Sequence, residues 1–144
     1  MAEHTGAEPL TRALTRAVRA VTAKVEEVLK SDGLSLDQWL VIEALAEQRG
    51  LSMADLATRT MATGPTLTRV VDRLVSTATV YREVDPEDRR RVRVYLGPRG
   101  RAAYKRIAPK VADVEAELLT RTGDAPTAIR FLTLLATTPA LNPR

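Results

Sequence analysis

The side chains best equipped for chemistry in this chain are arginines and threonines, not nucleophiles. Thr63, Thr66, Thr68, Arg69, Arg73, Arg89, Arg90 and Arg91 lie in one stretch of the sequence. Guanidinium groups at this density bind phosphate or other polyanions, and threonine hydroxyls add short-range hydrogen bonds. Residues 63–106 carry 11 Lys/Arg against 5 Asp/Glu, whereas the whole chain has a net charge of only +4. Residues 1–62 carry 7 against 9, and residues 107–144 carry 4 against 4. A basic block of this kind is the electrostatic footprint of a polyanion partner, although a solvated arginine-rich face would give the same charge.

Other chemistries are poorly supplied. The 144 residues include no cysteine, which removes disulfides, thiolate zinc sites, cysteine nucleophiles and thiol redox sensing. The single histidine, His4, sits in a polar N-terminal tail, so no histidine-based metal or catalytic site is expected. There is no glycine-rich phosphate loop and no nucleophile–base pair, so neither a cofactor nor an enzymatic activity is expected. Asp85, Glu87 and Asp88 form a carboxylate cluster, but adjacent arginines neutralise it and no metal site is expected. No apolar run approaches the roughly 18 residues of a membrane-spanning helix. The opening MAEHTGAEPL lacks the apolar core of a secretory signal, so a cytoplasmic protein without a membrane partner is expected.

The elements that must position the arginines follow from periodicity. Leu10, Leu14, Ala17, Val18, Val21, Val25, Val28 and Leu29 recur every three or four residues, predicting one helix from about Leu10 to Lys30 with Gly33 just past its end. That helix is longer than a small core requires, so part of its stripe is expected to pack on a second chain. Ser35 and Gln38 form a capping box that opens a second helix carrying Leu36, Trp39, Leu40, Ile42 and Leu45. Ser52 opens a short third helix through about Arg59. A fourth runs from about Pro65 to Thr77, with Thr63 as its capping residue and Pro65 in its first turn. On the fourth, Leu67, Val70, Val71 and Leu74 face inward, while Thr66, Arg69 and Arg73 share another face with Thr68 beside them. Two short helices, the second with a basic outer face, describe a helix-turn-helix.

The period then changes. Val80–Val84 and Arg91–Leu96 read as strands of a hairpin, with the charged turn Asp85-Pro86-Glu87-Asp88-Arg89-Arg90 between them. A fifth helix starts at Pro98 and Gly100 and reaches about Thr120, with Tyr104, Ile107, Val111, Val114 and Leu118 as a helix–helix seam and Pro109 expected to kink or break it. Asp124 caps a last helix containing Ile129, Phe131, Leu132, Leu134 and Leu135, which ends before Pro139.

From about Leu10 to Leu135 this order resembles the MarR family of winged helix-turn-helix transcriptional regulators. The specific part is Leu67-Thr68-Arg69-Val70-Val71-Asp72-Arg73-Leu74 followed by Asp85-Pro86-Glu87-Asp88-Arg89-Arg90, which is similar to the family's recognition-helix ending and its wing motif. The chain departs from the family at Ala78-Thr79, where a glycine-leucine is usual, and at Leu96-Gly97-Pro98-Arg99-Gly100, which lacks the usual capping threonine.

The resemblance implies a mainly α fold with a small β-hairpin wing. Residues 1–9 would be a flexible tail, 10–33 a dimerisation helix, 34–100 the DNA-binding domain and 101–144 the C-terminal dimerisation helices. Double-stranded DNA and a second copy of the chain are the implied partners, with a small-molecule effector possible. The major groove admits an α-helix, and there Arg69 could grip a guanine edge while Thr66 and Thr68 read other edges. Backbone N–H groups at Thr63, Gly64 and the start of the helix beside Pro65 suit a phosphate, as does the Arg73 side chain. In the family an Asp-x-Arg pair in the wing directs an arginine into the minor groove; this maps onto Asp88 and Arg90, with Arg89 and Arg91 as phosphate neighbours. Leu10, Leu14, Val111, Val114, Leu118, Leu132 and Leu135 are the expected dimer contacts, unless they are the core of a monomer. Trp39 and Tyr104 could line an effector pocket with Arg16 or Arg19 meeting an acid group; Trp39 also reads as plain core. The function implied is a homodimeric repressor of a pseudo-palindromic operator, released by a small aromatic or phenolic ligand. The alternative is a winged-helix protein-interaction module without sequence-specific DNA reading.

Overall fold

The computed structural model describes residues 7–137. His4 and the expected end of the last helix before Pro139 lie outside the described residues. Among these described residues, six helices and a three-stranded sheet follow one another as α1 (Leu10–Lys30), α2 (Leu36–Glu47), β1 (Leu51–Ser52), α3 (Met53–Thr60), α4 (Gly64–Ser76), β2 (Val80–Val84), β3 (Val92–Leu96), α5 (Pro98–Thr120) and α6 (Ala125–Ala136). Among the described residues, no helix is long and apolar enough to cross a membrane.

Local chemistry sets most of these boundaries. The Ser35 hydroxyl accepts the Gln38 N–H at 3.2 Å, and the Gln38 side-chain carbonyl accepts the Ser35 N–H at 2.9 Å, so the capping box forms as its sequence predicts. Ser52 caps α3 by accepting the Asp55 N–H at 3.1 Å. Thr63 occupies the N-cap position of α4, but its hydroxyl donates to the Thr66 hydroxyl at 3.1 Å instead of capping a backbone N–H. The wing is larger than a hairpin. β1 pairs with β3 through Leu51 opposite Val94, and the strand order is β1-β3-β2, all antiparallel.

The core is assembled mainly from the inner faces of α2, α3, α4 and the sheet. Trp39, Ile42, Leu45, Leu56, Leu67, Val71, Leu74, Val80 and Val94 are all buried. Leu29 of α1 and Ile107 of α5 close it from above, both without solvent exposure. Val111, expected at a dimer seam, is instead buried beside Ile107 within the protomer. Pro109 leaves α5 as one continuous helix. Its side chain is on the exposed side, while Ile107 and Val111 pack inward around it, so core packing holds the helix across the missing N–H.

Most of the exposed large apolar side chains among the described residues lie on α1 and α6, the others being Met61, Tyr81, Val84 and Val92. Within α1, only Val25 and Leu29 are buried, whereas Leu10, Val18 and Val21 are exposed. α6 has no buried residue, and Ile129, Phe131, Leu132 and Leu134 stand open to solvent.

Candidate nucleic-acid interface

The inward residues of α4, Leu67, Val71 and Leu74, fix which face of the helix turns outward. Thr68, Arg69 and Arg73 are exposed on that face and Thr66 is half-buried. The Thr68 hydroxyl donates to the Gly64 carbonyl at 2.9 Å, which uses its proton and leaves its oxygen able to accept. Neither Arg69 nor Arg73 has a carboxylate within ion-pair distance among the described residues. Asp72, between them in sequence, pairs with Arg82 of β2 and so ties the helix to the wing. With no side-chain cap at Thr63, the first N–H groups of α4 are open to an anion, where the helix dipole favours one.

The wing turn is built by two aspartates with different partners. Asp85 accepts the Glu87 N–H at 2.9 Å through one oxygen and Arg93 Nε at 3.1 Å through the other. The Glu87 N–H first, and then the Arg93 guanidinium, hold the Asp85 carboxyl below the ordinary carboxylate range. Asp88 accepts the Arg90 backbone N–H at 3.1 Å, while its second oxygen lies 3.6 Å from Arg91 Nε. Asp88 therefore holds Arg90 through its backbone N–H and not its guanidinium, and the guanidinium beside Asp88 is that of Arg91. The reason is the tight turn, closed by Arg91 N–H to Asp88 O at 2.9 Å and Asp85 N–H to Arg91 O at 2.8 Å. Arg89 and Arg90 are exposed and have no ion-pair partner among the described residues.

Asp72, Arg82, Asp85 and Arg93 were not singled out by sequence reasoning as positioning residues. A signal existed for Arg93: it alternates with Val92 and Val94 on β3, and so falls on the face opposite buried Val94.

The residues proposed to meet an effector are only partly together. Trp39 and Tyr104 stack with ring centroids 5.8 Å apart and planes 10° from parallel. They nevertheless line two different clefts. Trp39 faces a cleft of about 220 Å³ with Thr22, Glu43 and Glu115, and Tyr104 faces another beside the sheet. Arg16 lines neither and pairs with Glu8 at 2.9 Å; Arg19 lines neither and is exposed.

A fold of this order, with an outward arginine face on α4 and an arginine-tipped wing, defines a winged-helix nucleic-acid-binding protein. A sequence profile of the MarR family matches residues 32–91. The transcriptional regulator FarR of Neisseria gonorrhoeae is 31% identical over 98 residues, which are 68% of this chain and 67% of FarR. BpsR of Bordetella bronchiseptica, whose DNA binding is regulated by 6-hydroxynicotinic acid, superposes with a TM-score of 0.79 at 25% identity, covering 96% of this chain and 99% of BpsR. Rv2887 of Mycobacterium tuberculosis, solved in complex with p-aminosalicylic acid, gives a TM-score of 0.69 at 28% identity over 90% of this chain and 97% of that one. The chain belongs to the MarR family of winged helix-turn-helix transcriptional regulators, which bind DNA and are not enzymes.

Proposed function

We propose that the chain acts as a homodimeric, sequence-specific repressor that binds a pseudo-palindromic operator and is released by a small aromatic acid. The observation that carries this reading is the division of labour among charges. Asp72, Asp85 and Asp88 are engaged by Arg82, Arg93 and Arg91, while Arg69, Arg73, Arg89 and Arg90 have no carboxylate partner among the described residues. In this reading Arg69 reads a guanine edge, with Thr66 and Thr68 beside it. Arg73, Arg91 and the open N–H groups at Thr63, Gly64 and the first turn around Pro65 meet phosphates. Arg90 enters the minor groove with Arg89 on the flanking backbone.

The exposed apolar side chains of Leu10, Leu132 and their neighbours, with half-buried Leu14, Val114, Leu118 and Leu135, support pairing through residues 10–33 and 101–144 around a DNA-binding unit at 34–100. A dimer supplies the two half-sites that discrimination against a genome requires. Release by an aromatic acid is supported by BpsR and Rv2887, whose ligands are both hydroxylated or amino-substituted aromatic acids. Trp39, Tyr104, Arg16 and Arg19 remain candidates for contacting it.

Light scattering and a salt titration of duplex binding test the proposal together. A particle of twice the chain mass is expected, with affinity falling steeply as salt rises because phosphate contacts release counterions. A monomer, or affinity independent of salt, would overturn it.

A further inference from the structure

We propose that Val84 and Val92 form an apolar seat for the deoxyribose backbone of duplex DNA, where one strand crosses from the groove read by α4 to the groove entered by the wing tip. The inference deepens the operator-binding reading and rests on it. It adds an uncharged contact to an interface otherwise made of arginines and hydroxyls. Val84 and Val92 are cross-strand partners, the last pair of β2 and β3 before the turn that carries Arg89 and Arg90. They are 53% and 41% exposed, and neither belongs to the buried core cluster. Single exposed apolar side chains are ordinary on a protein surface, but these two face each other beside a charged tip.

Strand alternation fixes which way the pair looks. The register sets Val80 opposite Leu96, Arg82 opposite Val94 and Val84 opposite Val92, all on one face of the sheet. Val80, Val94 and Leu96 are buried, and Arg82 reaches Asp72 of α4 from the same face. Val84 and Val92 therefore look toward the α4 side, away from the face that carries Tyr81 and Tyr95. After α4 the chain doubles back, with Thr79 N–H donating to Leu74 O at 2.9 Å, so β2 returns along the helix. Arg82 stands beside Asp72, and Val84 lies two residues, about 7 Å, further on. That direction leads toward the end of α4 that holds Thr68 and Arg69. The pair thus lines the angle between α4 and the wing tip.

A helix in the major groove and a wing tip in the adjacent minor groove are separated by one sugar–phosphate ridge, which must occupy that angle. Arginines on either side meet its phosphates, whereas its deoxyribose offers chiefly C–H groups. Val84 and Val92 supply methyl groups and no charge. Asp72 is engaged by Arg82, and Glu83 alternates onto the opposite face of the sheet, so neither carboxylate opposes the ridge.

Duplexes selected from a random pool by the unaltered chain serve as the probe. Val84→Ala with Val92→Ala should weaken binding by about tenfold. The salt dependence of affinity should not change, because no phosphate contact is lost. Arg89→Gln is the contrast and should lower the salt slope by about one. Val84→Ile with Val92→Ile, which keeps the pair apolar, should retain the original affinity, with thermal melting confirming that each variant folds. Hydroxyl-radical cleavage, which attacks deoxyribose, tests the placement without any substitution. It should show protected sugars on the ridge between the two grooves, and these should open in the double alanine variant while protection elsewhere persists. Equal affinity of the alanine variant, a changed salt slope in it, or unprotected ridge sugars would overturn the seat while keeping a DNA-binding protein. An unaltered chain that binds no duplex would overturn it together with the operator reading.

Discussion

Replacing Ala78 with glycine should stabilise the protein, although it removes a side chain. α4 ends in a reciprocal pair of hydrogen bonds, from Thr79 N–H to Leu74 O at 2.9 Å and from Ala78 N–H to Val75 O at 3.0 Å. That is the Schellman arrangement, and it forces Ala78 to φ +58°, a left-handed conformation usually given to glycine. The corner is pinned on its far side, where Gly97 N–H donates to Thr79 O at 2.9 Å, so the backbone cannot relax by unwinding. An L-residue held there costs about 1–2 kcal/mol. Glycine relieves that cost but gives back about 0.4–1 kcal/mol through the greater freedom of its unfolded chain. The net gain is roughly 0.5–1 kcal/mol, a rise in Tm of about 1–4 °C for a chain of this size. Ala78→Val should do the reverse, because a β-branched residue fits the left-handed region worse. Calorimetric melting of the three proteins side by side is the assay. A lower Tm for Ala78→Gly, or full tolerance of valine, would refute the account of this corner.

Gly100→Ala should destabilise by about 2–3 kcal/mol, because its Cβ would fall 2.3 Å from the Thr79 carbonyl oxygen and 2.4 Å from Leu96 Cδ1; urea unfolding measures it. Burial, and then the charges of Glu115 and Glu47, raise the Glu43 carboxyl above its ordinary value of 4.5. Its folded form therefore binds the proton more tightly, and its contribution to stability falls as pH rises through the raised value. Glu43→Gln should accordingly raise Tm at pH 7 and lose that advantage near pH 4, as melting across pH would record. Arg69→Ala should cost roughly 1–3 kcal/mol in operator affinity and relax specificity at one position per half-site, read by binding to single-base operator variants. Arg90→Ala should weaken binding most where the flanks are A·T-rich, and an equal loss at every flank would reduce Arg90 to a phosphate contact.

Much of the framework was legible because local and periodic signals agree. The Ser35–Gln38 capping box, the inward stripe Leu67-Val71-Leu74 and the alternating Val92-Val94-Leu96 each imposed one element and one orientation. β1 was not legible, because two residues cannot display alternation and its pairing with β3 depends on a distant strand. The substitution of Ala78 for the family's glycine was visible in sequence, but the left-handed backbone that persists there was not. Val111 shares its helical stripe with Val114 and Leu118. Periodicity alone cannot tell which member of a stripe meets its own core and which meets another chain.

The candidate interface shows the same boundary. Arginine density located the wing, but the partners of Asp88 follow from a turn whose closure is set by backbone hydrogen bonds. The cleft that Tyr104 faces joins residues from α2, both long strands and α5, and no sequence spacing connects them.

Selection of bound sequences from a random pool of duplex DNA, at near-physiological salt and with purified protein, tests the central claim most directly. The account predicts enrichment of a pseudo-palindrome whose half-sites are centred about ten base pairs apart, and loss of that enrichment in Arg69→Ala. A pool left unenriched, or a single asymmetric site bound by one chain, would contradict a dimeric operator reader.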